Sequence, residues 1–472
     1  MISMRRRSVL MLGGAMLAGV GAGGQPAAAD ADASLIRATT RVLDIDGRPA
    51  RVLGLLQPDG ASGMTLEPGV PFRARLTNEL TEPTIIHWHG QTPPIEQDGV
   101  GDMPVPMLRP GETRRFDFAA HPGTHWMHAH IPDQEMRLLA APLIVRSAED
   151  LRADRQEVTL LLHDFSFTPL AEHLARLNAA PADPHAGHAG HGAPATGAPQ
   201  AAAMDLNDID FDAYLANDRT LKDPQVIPVE RGGRVLLRII NGAAATVFRL
   251  DTGVLAARLV AVDGQAVMPA AAGSFALAMG QRADLLVEIP SGGGAFPVLA
   301  LREGARERTG VVLATAGAEI RRIPTLGDAN AAPYASAQEA ALRAVVALAS
   351  RPVQRRFEVA LTGTMAPYAW TLDGRAWGRH RPLQARSGER VEIAMVNRSG
   401  MAHPMHLHGH RFQVVEAGGR RIPGAVRDTV QVPANERLVL ALDAGQPGRW
   451  MFHCHHMPHL ATGMMTEFVV AA

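Results

Sequence analysis

Short stretches in which apolar and polar residues alternate recur along the whole chain. Three of them end in asparagine: PFRARLTN at Asn78, RVLLRIIN at Asn241 and RVEIAMVN at Asn397. A period of two is typical of half-buried β-strands, because successive side chains of a strand point to opposite faces. The pattern predicts an all-β protein in which one unit occurs three times.

Two further signs follow each of these stretches in the same order. The second sign is a further alternating strand, at 110–118, 279–289 and 434–443. The third is a strand led by glycine, at 123–130, 292–300 and 448–456. Each unit is therefore expected to be a sandwich of short antiparallel strands, with the units at 30–150, 151–325 and 326–472.

The composition agrees with a chain of many turns and argues against nucleic acid as a partner. The 472 residues include 46 glycines and 34 prolines, and the formal net charge is -1. A chain without a basic excess offers no electrostatic footprint for nucleic acid. We expect a monomer that binds small partners.

The first 29 residues read as an export signal. Arg5, Arg6 and Arg7 precede an apolar stretch from Val9 to Val20, and alanines 27–29 supply a small-residue cleavage site. The arginine run indicates the twin-arginine route and a periplasmic location, without stable membrane insertion. A membrane anchor is the weaker alternative, because the run is short and rich in glycine.

One segment of the second unit has low complexity. Residues 181–203, PADPHAGHAGHGAPATGAPQAAA, combine alanine, glycine and proline with three histidines. This composition predicts a mobile loop, preceded by a short helix from Pro169 to Leu177. The histidines make it a candidate copper-binding loop, and an inert linker is the alternative.

Four His-X-His pairs carry the strongest chemical signal. Two lie in the first unit and two in the third: His87/His89, His128/His130, His406/His408 and His453/His455. Side chains two residues apart on a strand share a face and lie about 6.6 Å apart along the chain, a spacing that suits adjacent metal ions. Four such pairs predict a metal site between the terminal units. The middle unit has Val298, Leu299 and Ala300 at the equivalent place, which predicts no metal there.

Cys454 lies between His453 and His455, so its sulfur points to the opposite face of the strand. It is the only cysteine, and no intrachain disulfide is possible. Together with His403, His459 and Met464, which lies five residues past His459, it offers the two imidazoles, thiolate and weak thioether of an electron-transfer blue-copper site. Zinc, which also binds histidine and cysteine, is the weaker alternative because it has no redox role.

These segments resemble the signatures of the multicopper oxidases. The matching segments are HWHG at 87–90, HAH at 128–130, HPMHLHGH at 403–410 and HCHHMPHLATGM at 453–464. The likeness extends over most of residues 40–472, and is to the three-domain bacterial branch of laccase-like and copper-efflux oxidases. It implies three consecutive cupredoxin-like Greek-key domains, the second of them free of copper.

The resemblance also implies four copper ions and their ligands. The type 1 copper takes His403, Cys454 and His459, with Met464 axial, and the type 2 copper takes His87 and His406. The type 3 pair takes the remaining six histidines: His89, His128, His130, His408, His453 and His455. The other histidines near the motifs, His121, His125, His410 and His456, are expected to be packing residues.

The implied reaction couples four one-electron oxidations of a reducing substrate to the reduction of dioxygen to water. Because four protons are consumed, an acid is expected near the cluster. Asp98 matches the position of such an acid, and a turn-forming Asp-Gly is the alternative. Several relatives carry an acid directly after the last type 1 histidine, where this chain has Leu460. Asp428 is a weaker candidate that could instead anchor a loop.

The sequence leaves two classes of reductant open. Cuprous ion is favoured by Met401, Met405, Met457 and Met465 near the motifs, since thioethers are soft ligands, although methionine also fills core gaps. A phenol or aromatic amine is the laccase-like alternative. Manganese or iron is less favoured, because no acids cluster near the type 1 ligands. A copper-storage or structural protein without turnover is the alternative from another class, and the filled ligand positions argue against it.

Overall fold

The computed structural model describes residues 33–179 and 206–472. The predicted export signal, residues 1–29, and the histidine-rich segment 181–203 lie outside these ranges. The described residues are predominantly strands and form six sheets, in three pairs that follow one another along the chain. This confirms an all-β fold of three consecutive sandwiches. The domain boundaries near residues 150 and 325 remain predictions.

The first pair of sheets has the strand orders β2-β1-β4-β6 and β3-β8-β7-β5. A 3-10 helix, Ile95–Gln97, follows β5. The strands and two short helices are β1 Ser34–Ile45, β2 Arg48–Leu56, β3 Met64–Leu66, β4 Phe72–Asn78, β5 Ile86–His89, β6 Thr113–Phe118, β7 Gly123–Ala129, α1 Pro132–Met136, β8 Ala140–Val145 and α2 Ala148–Arg152.

The second pair has the orders β10-β9-β12-β17-β14-β15 and β11-β19-β18-β13-β16. The helix expected from Pro169 to Leu177 is present as α3. The elements are β9 Gln156–Phe165, α3 Leu170–Ala179, β10 Ala213–Ala216, β11 Val226–Pro228, β12 Arg234–Asn241, β13 Phe248–Asp251, β14 Ala257–Val262, β15 Gln265–Ala271, β16 Ser274–Leu277, β17 Arg282–Glu288, β18 Ala295–Arg302 and β19 Arg308–Ala314.

The third pair has the orders β21-β20-β23-β29-β25-β26, with β27 paired to β25, and β22-β31-β30-β24-β28. The elements are α4 Ser336–Ala341, β20 Arg355–Met365, β21 Tyr368–Leu372, β22 Leu383–Arg386, β23 Arg390–Asn397, β24 His403–Leu407, β25 Phe412–Ala417, β26 Arg420–Arg421, β27 Val426–Arg427, β28 Thr429–Val432, β29 Arg437–Asp443, β30 Gly448–Cys454, α5 Met457–Ala461 and β31 Met465–Ala471.

The three units share one topology. The orders 2-1-4-6, 10-9-12-17 and 21-20-23-29 correspond, and each contains one parallel pair at its centre: β1 with β4, β9 with β12 and β20 with β23. In the second sheets, β7 with β5 corresponds to β18 with β13 and to β30 with β24. Each unit also has its own apolar core between its two sheets.

The repeated asparagine has the same structural role in each unit. Asn78, Asn241 and Asn397 end β4, β12 and β23, and all three are buried. In each, Nδ2 donates to at least two backbone carbonyls, and Oδ1 accepts from the backbone N–H two residues later. The side chain therefore satisfies a loop backbone that leaves the sheet, which accounts for the repeat in the sequence.

Candidate metal centre

Two strand pairs, one in the first unit and one in the third, carry the His-X-His segments. In the first, β5 pairs with β7 and places His87 opposite His128. In the third, β24 pairs with β30 and places His406 opposite His453. The corresponding pair of the middle unit, β13 with β18, carries Leu250 opposite Ala300. Nε2 of His87 lies 3.3 Å from Nε2 of His406, so the histidines of the terminal units meet across a shared boundary.

Every histidine and cysteine expected as a copper ligand lies in a compact group. Within each group the donor atoms lie within 4.8 Å of one another. The groups are His87, His89 and His406; His89, His128 and His455; His130, His408 and His453; and His403, Cys454 and His459. The first three adjoin and mix the two terminal units, whereas the fourth belongs to the third unit alone.

The hydrogen bonds leave lone pairs facing each other in the centre of the cluster. Nδ1 of His87 donates to the Asp98 carbonyl over 2.7 Å, and Nδ1 of His406 donates to the Asp428 carbonyl over 2.9 Å. Both Nε2 atoms are then unprotonated, yet they lie 3.3 Å apart. Two lone pairs at this distance repel each other unless a cation lies between them, so the residues fit a bound metal ion.

The same arrangement recurs on the other side of the cluster. His408 donates from Nδ1 to an Asp98 carboxylate oxygen over 2.8 Å, and His453 donates from Nδ1 to the Cys454 carbonyl over 2.9 Å. Their Nε2 atoms lie 3.1 Å apart, and Nε2 of His130 lies 3.3 Å from that of His453. Both nitrogens of His455 are buried without a hydrogen-bond partner.

The protonation states favour metal binding. Burial lowers the pKa of His128 to about 3 and that of His453 to about 4, and it lowers the pKa of His87, His406 and His408 well below the usual value. Neutral imidazole is the form that binds metal. The cluster therefore has its ligands ready at neutral pH.

The group around the cysteine fits the blue-copper pattern. Sγ of Cys454 lies 3.8 Å from Nδ1 of His403 and 3.6 Å from Nδ1 of His459, and these two nitrogens are 3.1 Å apart. Burial raises the pKa of the Cys454 thiol, so a cation is needed to stabilise the thiolate. Met464 is fully buried in the same core, and its carbonyl accepts from the Cys454 backbone N–H over 3.0 Å.

A hydrogen-bond relay fixes the His403 ring. The Ser399 hydroxyl donates to Oδ1 of Asn397 over 2.8 Å, so its oxygen accepts from Nε2 of His403 at 2.7 Å. Nδ1 of His403 then keeps its lone pair toward the sulfur. The repeated asparagine of the third unit thus reaches a candidate ligand through one serine.

Asp98 lies beside the cluster, at the end of the 3-10 helix. Its carboxylate is buried, with Oδ2 bonded to Nδ1 of His408 and Oδ1 at 3.6 Å from Nδ1 of His87, without a hydrogen-bond partner. Burial raises the pKa of Asp98 to about 8. A protonatable carboxyl group therefore contacts a histidine from each terminal unit.

One acid near the cluster was not indicated by the sequence. Glu135, on α1, is buried with Oε2 at 2.8 Å from Nδ1 of His128 and Oε1 at 3.7 Å from Nδ1 of His455. Its neighbour Met136 belongs to the same cluster of buried apolar residues as Leu460. No signal in the sequence marks Glu135, because α1 is a single turn with no recognisable pattern.

Asp208 is a further acid that the sequence did not indicate. It lies just after the segment outside the described residues and contacts the edge of the cysteine-centred group, 3.7 Å from Nε2 of His459. The Tyr368 hydroxyl donates to its carboxylate, and Nε2 of His456 lies 3.3 Å away. Burial opposes ionisation of Asp208, but His456 and His459 outweigh it and lower the pKa of Asp208. An anionic carboxylate therefore lies beside the outer nitrogen of a candidate ligand.

The remaining histidines near the motifs have packing contacts. His410 donates from Nδ1 to the His408 carbonyl over 3.0 Å and accepts from the Gly445 N–H over 2.9 Å. Nε2 of His121 lies 2.7 Å from the Thr92 hydroxyl, and Nε2 of His125 lies 3.3 Å from the Pro122 carbonyl. These contacts agree with the expectation of packing roles, which remains a prediction.

Comparison with known proteins decides the family. Three family models, each described as multicopper oxidase, match residues 62–150, 188–317 and 350–472. The chain is also 31% identical over 401 residues to multicopper oxidase MmcO of Mycobacterium tuberculosis, covering 83% of this chain and 78% of the relative. The chain belongs to the multicopper oxidases. The oxidase thus uses copper and couples four one-electron oxidations of a reducing substrate to the reduction of dioxygen to water.

Two further matches support the assignment. The oxidase is 23% identical to copper resistance protein A of Escherichia coli, covering 84% of this chain and 86% of the relative. A solved multi-copper oxidase from Pseudomonas thermotolerans superposes with a TM-score of 0.69 at 25% identity, covering 93% and 98% of the two chains. None of the helices in the described residues of the oxidase is long and apolar enough to cross a membrane.

Proposed function

We propose that the oxidase holds four copper ions in the four groups described above. His403, Cys454, His459 and Met464 would hold the type 1 ion, and His87 and His406 would hold the type 2 ion. The type 3 pair takes the other six histidines: His89, His128 and His455 around one ion, and His130, His408 and His453 around the other. The observation that carries this proposal is the set of facing, unprotonated nitrogens.

In this proposal Cys454 connects the two kinds of centre. Its sulfur faces His403 and His459, and the residues on either side of it belong to the cluster, so a few covalent bonds join the groups. Bound copper supplies the one-electron redox chemistry. The strand holds the thiolate and both flanking imidazoles rigidly, which makes the path short and fixed.

Asp98 is proposed to deliver protons at the cluster. The support is its position, since the carboxyl group is bonded to Nδ1 of His408 and is close to His87. A group within hydrogen-bond reach of the reacting site can pass a proton to it directly or through one water molecule. Asp428 contacts His89 and Arg282 and is better suited to an orienting role.

We propose cuprous ion as the reductant, with a phenol or aromatic amine as the second candidate. A cavity of about 300 Å³ is lined by Met103, Met107, Met451 and Met465, and it reaches His130 and Leu460. Its thioethers suit a soft monovalent ion, and a relative is named for copper resistance. The phenol alternative is kept because Trp377 also lines the cavity.

The other methionines near the motifs do not support this proposal. Met401, Met405 and Met457 are buried in apolar cores, where methionine fills gaps. Only Met465 of the four that the sequence suggested lies on the cavity.

Periplasmic location after export by the twin-arginine route is likewise a proposal. It is supported by Arg5, Arg6 and Arg7 ahead of the apolar stretch. Mass spectrometry of the mature protein from the periplasmic fraction tests it. A chain that starts after about residue 29 agrees with the proposal, and one that retains Met1 in the cytoplasm contradicts it.

Metal analysis tests the copper proposal, and oxygen uptake tests the turnover. Protein loaded with copper is expected to contain four ions per chain, to be blue, and to consume dioxygen. Far fewer ions, or zinc in their place, contradicts the ligand assignment. Copper binding without oxygen uptake would instead indicate storage.

The two reductants are separated by comparing oxygen uptake with cuprous ion and with dimethoxyphenol. Met103→Leu and Met465→Leu are expected to slow uptake with cuprous ion several-fold and to leave uptake with the phenol unchanged. Met401→Leu is the matched control, because this methionine is in the core. The same comparison after deletion of residues 181–203 tests the loop, and unchanged uptake with cuprous ion would contradict a role for it.

A further inference from the structure

The middle unit contacts the metal cluster although it supplies none of the expected ligands. The contact is made by the turn at residues 279–282, which leads into β17 and belongs to the second repeated sign of the sequence. A Cβ atom added at Gly280 would lie 2.8 Å from Cδ2 of His455 and 3.1 Å from Cε1 of His89. The backbone of this turn therefore packs directly on two cluster histidines, one from each terminal unit.

Arg282, the last residue of the turn, is fully buried and pairs with Asp428 of the third unit. Nη1 donates to Oδ1 over 2.7 Å and Nη2 donates to Oδ2 over 2.5 Å, a bidentate contact. Nε of the same guanidinium donates to the Thr124 carbonyl of the first unit over 3.0 Å. A planar fork of this kind fixes both the position and the plane of a carboxylate.

Asp428 and its neighbour Thr429 in turn hold two cluster histidines. Nε2 of His89 lies 3.1 Å from Oδ1 of Asp428 and 3.0 Å from the Thr429 hydroxyl. The Asp428 carbonyl accepts from Nδ1 of His406, as described above. Because Nε2 of His89 donates to this pair, its Nδ1 is left unprotonated and faces Nε2 of His128 at 3.4 Å.

Gln281, in the same turn as Arg282, also contacts the segment that contains Asp428 and Thr429. Nε2 of Gln281, which is also buried, donates to the Thr429 carbonyl over 3.1 Å. The backbone N–H of Arg282 donates to Oδ1 of Asp263 over 2.8 Å, which anchors the turn within the middle unit. The route from the middle unit to the cluster thus consists of contacts between buried groups in all three units.

We propose that Arg282 is a positioning residue for the copper cluster, acting through Asp428 to fix the ring of His89 with Nδ1 toward the metal. The inference rests on the proposed ligand set. It gives the copper-free unit a function, since that unit provides a wall of the cluster and the cation that orients its supporting carboxylate.

The test compares Arg282→Lys with Arg238→Lys by copper retention. Arg238 is the matched control because it is a buried arginine of the same unit that pairs with Glu157 and Asp284 and also contacts Thr124. Among the described residues, Arg238 bonds neither a cluster histidine nor Asp428. Lysine keeps the charge at both positions and removes the bidentate geometry. Each variant is titrated with a copper chelator, and the type 1 absorption and the type 2 paramagnetic resonance signal are recorded.

R282K is expected to retain its blue colour while it binds the cluster copper about 10–100-fold more weakly, with an altered type 2 signal. R238K is expected to match the wild type in both measurements, whatever its stability. Equal copper retention in the two variants overturns the proposal. If the wild-type protein itself fails to bind the cluster copper, it is the proposed ligand set that is wrong.

A second variant tests the proposal in case R282K folds poorly. Asp428→Asn keeps the volume and an acceptor oxygen for His89 but removes the charge that pairs with Arg282. The same selective weakening of cluster copper is expected, with the type 1 absorption retained. Wild-type cluster retention in this variant would also overturn the proposal.

Discussion

At the scale of single residues, the cluster depends on which nitrogen of each histidine carries the proton. The Asp98 carbonyl, the Asp428 carbonyl and the Cys454 carbonyl each accept from Nδ1 of a different histidine and leave Nε2 free. His89 has the opposite arrangement, with Nε2 engaged and Nδ1 free. These carbonyls belong to the folded backbone, one in a strand and two in the loops beside the cluster, so the fold itself selects the tautomers.

The thiolate gives the first prediction at this scale. Cys454→Ser should abolish the blue absorption and lower the rate of oxygen uptake to background, because the serine hydroxyl is a poor copper ligand and the path between the centres is lost. The variant should lose about one copper ion and keep the others, as measured by metal analysis and visible absorption. Oxygen uptake at the wild-type rate would contradict the assigned role of Cys454.

Asp98 gives the second prediction. Asp98→Asn keeps an oxygen that can accept from His408 but removes the ionisable group, so kcat for oxygen uptake should fall about 100-fold or more. The copper content and the blue colour should stay unchanged. Asp117→Asn, an exposed acid of the same unit that pairs with Arg73, is a control for general effects of charge. A wild-type rate in Asp98→Asn would show that the position serves only as a turn.

The ligand histidines could be identified from the sequence because their spacing on a strand dictates a shared face. Glu135, Asp208 and Arg282 could not, because no local periodicity encodes the contacts that bring them to the candidate ligands, directly or, for Arg282, through Asp428. Asp98 could be named as a candidate, but its burial against His408 depends on the packing of the first unit on the third.

At the scale of elements, the asparagine that ends a central strand is the feature that the three units share. It closes the loop that follows β4, β12 or β23 with at least three hydrogen bonds. In the terminal units this loop leads into β5 or β24, where one of the His-X-His segments begins. The repeat was visible in the sequence because the asparagine is fixed by backbone geometry, whatever the loop contains.

Replacing this asparagine separates stability from metal binding. Asn241→Ala should lower the free energy of unfolding by about 3 kcal/mol, because it leaves buried carbonyls of Thr246 and Leu277 without a donor. The type 1 spectrum should be unchanged, because this loop carries no ligand. The measurement is the midpoint of denaturant unfolding together with the visible spectrum.

Asn397→Ala is the counterpart in the third unit. A similar loss of stability is expected, but this variant should also shift the type 1 absorption, since Ser399 loses the acceptor that orients it toward His403. An unchanged spectrum in both variants would contradict the relay from Asn397 through Ser399.

At the scale of the whole molecule, the three sandwiches are held together around the boundary between the terminal units. The fold class followed from the repeat and the alternation. The arrangement of the units could not be predicted from the sequence. It depends on buried ion pairs such as Arg282 with Asp428 and Arg427 with Asp263, whose partners are far apart in sequence.

Copper should therefore stabilise the assembled chain. Binding to the native state alone adds about 4 kcal/mol when free metal exceeds its dissociation constant a thousandfold, which raises the Tm of a chain of this size by about 4 °C. Calorimetry with and without copper measures the shift. Cys454→Ser should keep most of it, because the ions that join the terminal units remain, and an unchanged Tm in the wild type would contradict binding across the boundary.

The distribution of the cluster histidines along the chain has a consequence for biosynthesis. Those from the first unit end at His130, and their partners begin at His406, so most of the polypeptide must be translated before any of these sites is complete. A nascent or prematurely terminated chain would contain only those ligands of each site that come from the first unit. With the proposed ligand set, metallation of the cluster would be a late event, and its success would report that the polypeptide has been finished and folded from end to end.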